Sequence, residues 1–261
     1  MAQKILVLSG KGGVGKSSVS VGLANALCSM GKSVLLVDAD VGFRSLDLIM
    51  NIGDKVVYNW LDVIEGRCSF SQAVVSGDGA PDLLSAPSDF SDSITEAAFS
   101  NLLSHTDTDY DYVFVDSAAG SDDFHGILAK VCNRAIIVVT GDPVCVRSAD
   151  AAVGRVLKVD KDIDIRMIIN RFDRYEVETG KQMKLDDVID SAKVQLIGVI
   201  PEDDSVRLLS NGSKISKYAF NAFLRTAKRI LGENVCSNKR IFIDKQLKNE
   251  RKFDIILYER V

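Results

Sequence analysis

Short runs of apolar, mostly β-branched residues recur along the chain: Ile5–Leu8, Val34–Val37, Leu83–Leu84, Val113–Val115, Ala135–Val139, Ile165–Ile169 and Val194–Ile200. Most are apolar at successive positions rather than alternating, the pattern of strands covered on both faces. Segments with helical spacing lie between them: Ser17–Met30, Trp60–Glu65, Ile94–Leu103, Asp123–Val131, Ala149–Leu157, Leu185–Asp190 and Ser216–Leu231. In the first of these, Val19, Val21, Leu23, Ala24 and Leu27 are available for burial. Strand–helix alternation of this kind predicts an α/β fold, a mainly parallel sheet with helices on both faces.

No internal repeat and no Pro/Gly/Ser-rich linker interrupts the chain before about residue 232. The organisation expected is one domain over 1–236 and a C-terminal extension over 237–261. Charge separates the two. The 261 residues carry a formal net charge of −4, but the extension has seven Lys/Arg against four Asp/Glu, so its +3 leaves the body at −7. Within the extension, Ile241–Ile243 and Phe253–Tyr258 are short apolar runs around the charged stretch Asp244–Lys252, a pattern open to a hairpin, a helix or a mobile tail.

No apolar run approaches the ~20 residues of a membrane span. The first residues run straight into Ile5–Leu8 with no signal-peptide pattern, which predicts a cytoplasmic protein. Cys28, Cys68, Cys132, Cys145 and Cys236 are dispersed, and none has CxxC spacing. That argues against a disulfide framework and against a zinc or iron–sulfur site within one chain. With only His105 and His125 present, a histidine-rich metal centre is disfavoured as well.

The densest chemistry lies in Ser9-Gly-Lys-Gly-Gly-Val-Gly-Lys-Ser-Ser18. Gly10, Gly15, Lys16 and Ser17 satisfy G-x-x-x-x-G-K-[ST], between an expected strand and an expected amphipathic helix, where a phosphate-cradling loop must sit. Glycine permits the tight turn, so that the backbone N–H groups from Gly10 through Gly12, Gly13, Val14 and Gly15 to Ser18 can point at phosphate oxygens. The helix N-terminus adds partial positive charge. Lys16 is expected to reach the β- and γ-phosphates of ATP, and the Ser17 hydroxyl to ligate Mg²⁺.

Three carboxylates belong with this loop. Asp38 and Asp40 are expected just past the second strand, facing the crevice beside the glycine-rich loop. At that spacing one can hold a Mg²⁺-bound water and the other orient an attacking water. Asp116 ends the apolar run Tyr112-Val-Phe-Val-Asp116, as an acid that orders Mg²⁺ and its waters should. Asn170 and Arg171 after Met167–Ile169, and Pro201-Glu-Asp203 after Gly198–Ile200, are further strand ends on the crevice side.

Lys11, together with Lys-Gly-Gly-Val-Gly-Lys-Ser17, resembles the deviant Walker A motif of the MinD/ParA ATPases. The resemblance spans about residues 3–232, and Asp38–Asp47, Asp62–Arg67 and Gly198–Val206 are most similar to the MinD branch. It implies a single P-loop NTPase domain with a mostly parallel sheet of seven or eight strands. It implies that ATP and Mg²⁺ drive a two-fold sandwich dimer, and that slow, partner-stimulated hydrolysis releases it. Lys11 would then reach the nucleotide of the second subunit, with Lys16 and Asp40 as the other catalytic residues, Asp40 polarising the hydrolytic water. Arg44 and Asp47 match the family's first switch region and Ser117-Ala-Ala-Gly120 its second. Asn170 and Arg171 would meet the adenine, with the loop Pro201, Glu202 and Asp203 against the base.

Departures from the pattern are Ala118 in place of a usual proline and Ser148 in place of a usual aspartate. Asp142 is aligned near an interface glutamate. MinD proteins usually end in a short basic amphipathic helix, whereas Ile241, Ile243, Leu247, Phe253 and Ile256 keep no single helical face. The function implied is an ATPase switch that positions a partner complex, through a regulatory protein, in cell-division site selection or flagellar placement. A membrane surface at the inner face of the cell membrane is left open as a partner of the basic tail. The alternative is a ParA-like partition ATPase that binds DNA as its ATP dimer. The −7 body argues against it, because non-specific DNA binding needs a basic footprint. Iron–sulfur carriers and bacterial tyrosine kinases of related scaffold are disfavoured by the cysteine surroundings and by a tail with Tyr258 alone.

Overall fold

A computed structural model describes residues 1–77, 79–120, 123–207, 209 and 214–235 of the protein. Cys236 and the extension 237–261 lie outside the described residues. The strands are β1 (Gln3–Leu8), β2 (Val34–Ala39), β3 (Val74–Val75), β4 (Asp82–Leu84), β5 (Tyr112–Ser117), β6 (Arg134–Val139), β7 (Asp164–Phe172) and β8 (Gln195–Pro201). They form one eight-stranded sheet in the order β3-β4-β2-β5-β1-β6-β7-β8. Every neighbouring pair is parallel except β3–β4. All six residues of β2 and of β5 are buried, which accounts for their unbroken apolar runs.

The helices are α1 (Lys16–Ser29), α2 (Ser45–Ile49), α3 (Trp60–Ile64), α4 (Phe70–Ala73), α5 (Glu96–Ser104) and α6 (Asp123–Val131). There follow α7 (Pro143–Val159), α8 (Arg174–Glu178), α9 (Leu185–Ala192), α10 (Asp204–Arg207) and α11 (Lys217–Ile230). One layer holds α1 and α11, which pack on each other, α11 also against β8. The other holds α5, α6, α7 and α9 in a continuous row. The first layer is tight. A Cβ on Gly22 of α1 would sit 2.5 Å from the Phe223 ring of α11, and one on Gly198 of β8 would sit 2.2 Å from the Thr226 hydroxyl. Glycine at both positions sets how closely α11 approaches. In the opposite layer Trp60, Phe99 and Phe124 pack as an aromatic trio with centroids 5.4–5.9 Å apart. Among the described residues no helix is long and apolar enough to cross a membrane.

Several boundaries differ from the sequence expectation. Helix α7 starts at Pro143, not Ala149, because the Asp142 carboxylate caps it by accepting from the Cys145 N–H (2.8 Å), with proline at its first position. Asp38 lies inside β2 rather than after it, since pairing with β5 continues through Asp38↔Asp116. Strand β7 likewise runs on through Asn170 and Arg171 to Phe172. The two-residue β3 and the short helices α2, α4, α8 and α10 have no periodic signal to announce them.

Candidate functional site

In parallel sheets the strand C-termini, followed by helix N-termini, gather polar residues at one edge. Here Ser9–Gly15 leaves the central strand β1 and enters α1 at Lys16. Gly13 and Gly15 adopt positive φ (76° and 89°), as the turn demands. Gly10 is required for another reason: a Cβ there would lie 2.2 Å from the backbone of Ser148 in α7. Three carbonyls of the loop are held by side chains. Ser9 Oγ donates to Lys11 O (2.8 Å), Arg171 Nη1 to Gly13 O (3.2 Å) and Asn170 Nδ2 to Val14 O (2.8 Å). In a trans peptide the N–H opposes the C=O. The N–H groups of Gly12, Val14 and Gly15 therefore point away from these tethers.

Lys16 is buried, 8% exposed, and among the described residues no carboxylate lies within ion-pair distance of it. Its charge acts on the buried Asp116 without closing into an ion pair, so the ammonium is left to take an anion supplied from outside the chain. Asp116 is fully buried and accepts from Ser20 Oγ (2.7 Å). Burial pushes its carboxyl up, against the opposing pull of the Ser17 and Ser20 hydroxyls and the Lys16 charge. Asp38, level with it on the next strand, is pushed up to about 7, chiefly by burial and further by Asp116 and Asp40. Two adjacent buried carboxylates and the Ser17 hydroxyl form a hard-oxygen set of the kind that suits Mg²⁺.

Both oxygens of Asp38 already accept backbone N–H groups, Oδ1 from Asp40 (3.0 Å) and Oδ2 from Leu46 (3.0 Å). Asp38 thereby staples both ends of the loop carrying Asp40, and its own carbonyl accepts the Trp60 indole N–H (2.8 Å). Asp40 is half-buried and close enough to act on both Asp38 and Asp116. Arg44, with φ 45°, donates to Asp47 (2.8 Å). In the segment after β5, Ser117 Oγ donates to Val7 O (2.8 Å), Gly120 N to Ser9 O (3.3 Å), and His125 Nε2 lies 3.1 Å from Ala118 O.

On the other side of the glycine-rich loop, Gly15, Ser18, Asn170, Arg171, Pro201, Glu202 and Asp203 line a cleft of about 160 Å³, with Val206 and Arg207 of α10. Arg171 Nε is 3.5 Å from Glu202. Asp203 accepts from Ser205 and Ser216, tying this loop to the start of α11. Lys11 stands apart from the buried groups. It is half-exposed, its ammonium 4.0 Å from Asp142. Arg147 and Asp150 are exposed on α7, and Ser148 Oγ donates back to Val144 O.

The structure thus gathers residues 10–18, Asp38, Asp40, Asp116, Asn170, Arg171 and 201–203 at one sheet edge. Sequence reasoning missed Ser20, Ser45, Trp60 and His125. Ser20 was findable, since it lies one turn beyond Lys16 on the same face of α1. Ser45, whose hydroxyl is 3.1 Å from that of Ser17, has no such signal.

A family model described as ParA, NUBPL iron-transfer P-loop NTPase, matches residues 1–230. The septum site-determining protein MinD of Bacillus subtilis (strain 168) is 34% identical over 245 residues, covering 90% of this chain and 91% of that protein. The MinC:MinD cell division protein complex of Aquifex aeolicus contains a similar chain, with a TM-score of 0.82 and 31% identity. The match covers 91% of this chain and 99% of that one. The MinD of Pyrococcus horikoshii OT3 complexed with Mg-ADP has a TM-score of 0.77 and 26% identity over 88% of this chain and 96% of that one.

Proposed function

The chain belongs to the MinD/ParA family of P-loop NTPases, and on that premise we propose that it is an ATP-dependent switch of the MinD type, whose Mg-ATP form pairs with a second copy and whose slow hydrolysis releases it. The observation that carries the reading is Lys16, a buried cation with no carboxylate at ion-pair distance among the described residues, set beside Ser17 and Asp116. The N–H groups of residues 10–18 and the Lys16 ammonium bind the phosphates. Ser17 and Asp116 hold Mg²⁺, with Asp38 behind them. The ion, when bound, supplies neutralisation of phosphate charge. Asn170, Arg171 and Pro201–Asp203 receive the adenine.

Asp40 orients the attacking water, and the Asp38 staple keeps it in place. Lys11, half-exposed and only loosely paired with Asp142, is available to a second subunit, where its charge stabilises the charge that develops on the leaving phosphates. Exposed apolar side chains on flanking segments, Phe43, Phe90 and Val144, give the paired form something to bury. The output is positional: the ATP form presents a surface to a regulatory protein, a reading supported by the similar chain found in the MinC:MinD cell division protein complex of Aquifex aeolicus, and the +3 extension adds attraction to anionic lipid. The −7 body makes DNA the poorer partner.

Sizing of the protein with ADP and with ATP tests the switch. Wild type is expected to pair with ATP alone, Asp40→Ala to stay paired because hydrolysis is blocked, and Lys11→Ala to bind ATP without pairing. Lys16→Ala is expected to lose ATP binding. Unchanged ATP affinity in Lys16→Ala, or an Asp40→Ala protein that remains monomeric with ATP, overturns the reading. Proteins retained only by the ATP form identify the partner.

A further inference from the structure

A regular β-strand sends consecutive side chains to opposite faces. Asn170 and Arg171 are consecutive in β7, yet both donate to the same glycine-rich loop, at Val14 O and Gly13 O. The register of β7 against β8 shifts between Ile169 and Phe172, and Arg171 sits at φ 54°. A bulge of this kind re-aims a side chain, and a non-glycine residue in the left-handed region is held there only by its surroundings. The approach is close: a Cβ on Gly15 would lie 2.4 Å from Asn170 Nδ2. Asn170 is 2% exposed, so this bond is shielded from water.

We propose that Asn170 and Arg171 clamp two successive carbonyls of the glycine-rich loop, so that β7 sets the loop's affinity for phosphate groups whether or not a base is bound. With Gly13 O and Val14 O held toward β7, the N–H groups of Val14 and Gly15 are directed the other way, as phosphate donors must be. An untethered loop has to be ordered when the anion arrives, and affinity falls by that cost. Asn170 is then a positioning residue for the phosphate site in addition to any contact with the base. The inference rests on the reading of this loop as a nucleoside triphosphate site.

Calorimetric titration with Mg-ATP and with Mg-tripolyphosphate, which has no base or sugar, separates the two roles. Wild type is expected to bind both. Asn170→Ala should weaken both, by about tenfold, the effect of leaving one buried carbonyl without its donor. Arg171→Ala, at a more exposed position, should weaken both by about threefold. Loss of ATP affinity with tripolyphosphate binding unchanged would mean that Asn170 reads only the base, and overturns the clamp. If Asn170→Ala does not fold, Arg171→Ala decides by the same comparison. A wild-type protein that binds neither ligand overturns the nucleotide reading itself, and the clamp with it.

Discussion

Gly10 and Gly12 are two residues apart in one loop, and alanine at the two positions should have very different consequences. At Gly12 the new methyl meets open space, the nearest atom being the Ala119 Cβ at 3.7 Å, an ordinary contact. At Gly10 it meets Ser148 C and O at 2.2 Å and Ala149 N at 2.6 Å. These are backbone atoms of α7, so no side-chain rotation relieves them. The helix has to retreat by about 1 Å to restore van der Waals distance. Helix α7 is packed on β6, α6 and α9, with Cys145, Val146, Ala149, Ala152, Val153 and Val156 buried, so the retreat loosens a whole layer. Overpacking of this kind costs about 3 kcal/mol, which in a protein of this size lowers Tm by roughly 6–12 °C. Gly12→Ala, an exposed change without a clash, should stay within about 0.5 kcal/mol of wild type. The Gly10 variant should also lose ATP affinity, since the loop is displaced along with the helix, whereas Gly12→Ala keeps its backbone donors. Differential scanning calorimetry of the unliganded proteins makes the comparison. A Gly10→Ala protein melting within 2 °C of wild type, or a Gly12→Ala protein falling as far, refutes the packing argument.

Three further outcomes are expected. Trp60→Phe keeps an aromatic ring in the trio but strands the Asp38 carbonyl, so urea denaturation should show a loss of about 2 kcal/mol; an unchanged midpoint would remove the indole bond from the account. Burial pushes the Asp203 carboxyl up, but the Ser205 and Ser216 hydroxyls and the Ser205 N–H outweigh it and hold the group below the usual carboxylate range. Its stabilisation is then present above the ordinary value of 3.8 and lost as pH falls through the lower folded one. Asp203→Asn should therefore cost about 1 kcal/mol at pH 7 and progressively less in acid, and a deficit independent of pH argues against this. His125→Ala releases Ala118 O from its 3.1 Å contact and should slow hydrolysis severalfold at unchanged ATP affinity, read by phosphate release and by titration; equal turnover would show that the segment after β5 is held without it.

Much of this site was legible because its parts obey local rules. Asp116 closes an apolar run, and Gly10, Gly15, Lys16 and Ser17 keep a spacing dictated by the reach of backbone amides. The onset of α7 was missed by six residues despite the start signal Asp142-Pro143, because the residues that follow, Val-Cys-Val, lack helical amphipathy. Other features depend on partners distant in the chain. Asp38 belongs to its strand because Asp116 pairs with it from 78 residues away. The bulge at Arg171 has no glycine to signal a positive φ. The clamp on Val14 spans 156 residues, and nothing near Asn170 in sequence announces it. Strand β3, two residues in an antiparallel pairing, is too short to carry a period.

The chain holds a single tryptophan, and the fold places its indole on the carbonyl of Asp38, behind the loop that carries Asp40. That makes the protein a self-labelled instrument. Excited at the long-wavelength edge, where the six tyrosines absorb little, emission comes from one indole, packed against Phe99 and Phe124, whose one polar bond leads to the segment expected to move between nucleotide states. A stopped-flow trace of tryptophan fluorescence on mixing with nucleotide would therefore time rearrangement around that segment with no dye attached.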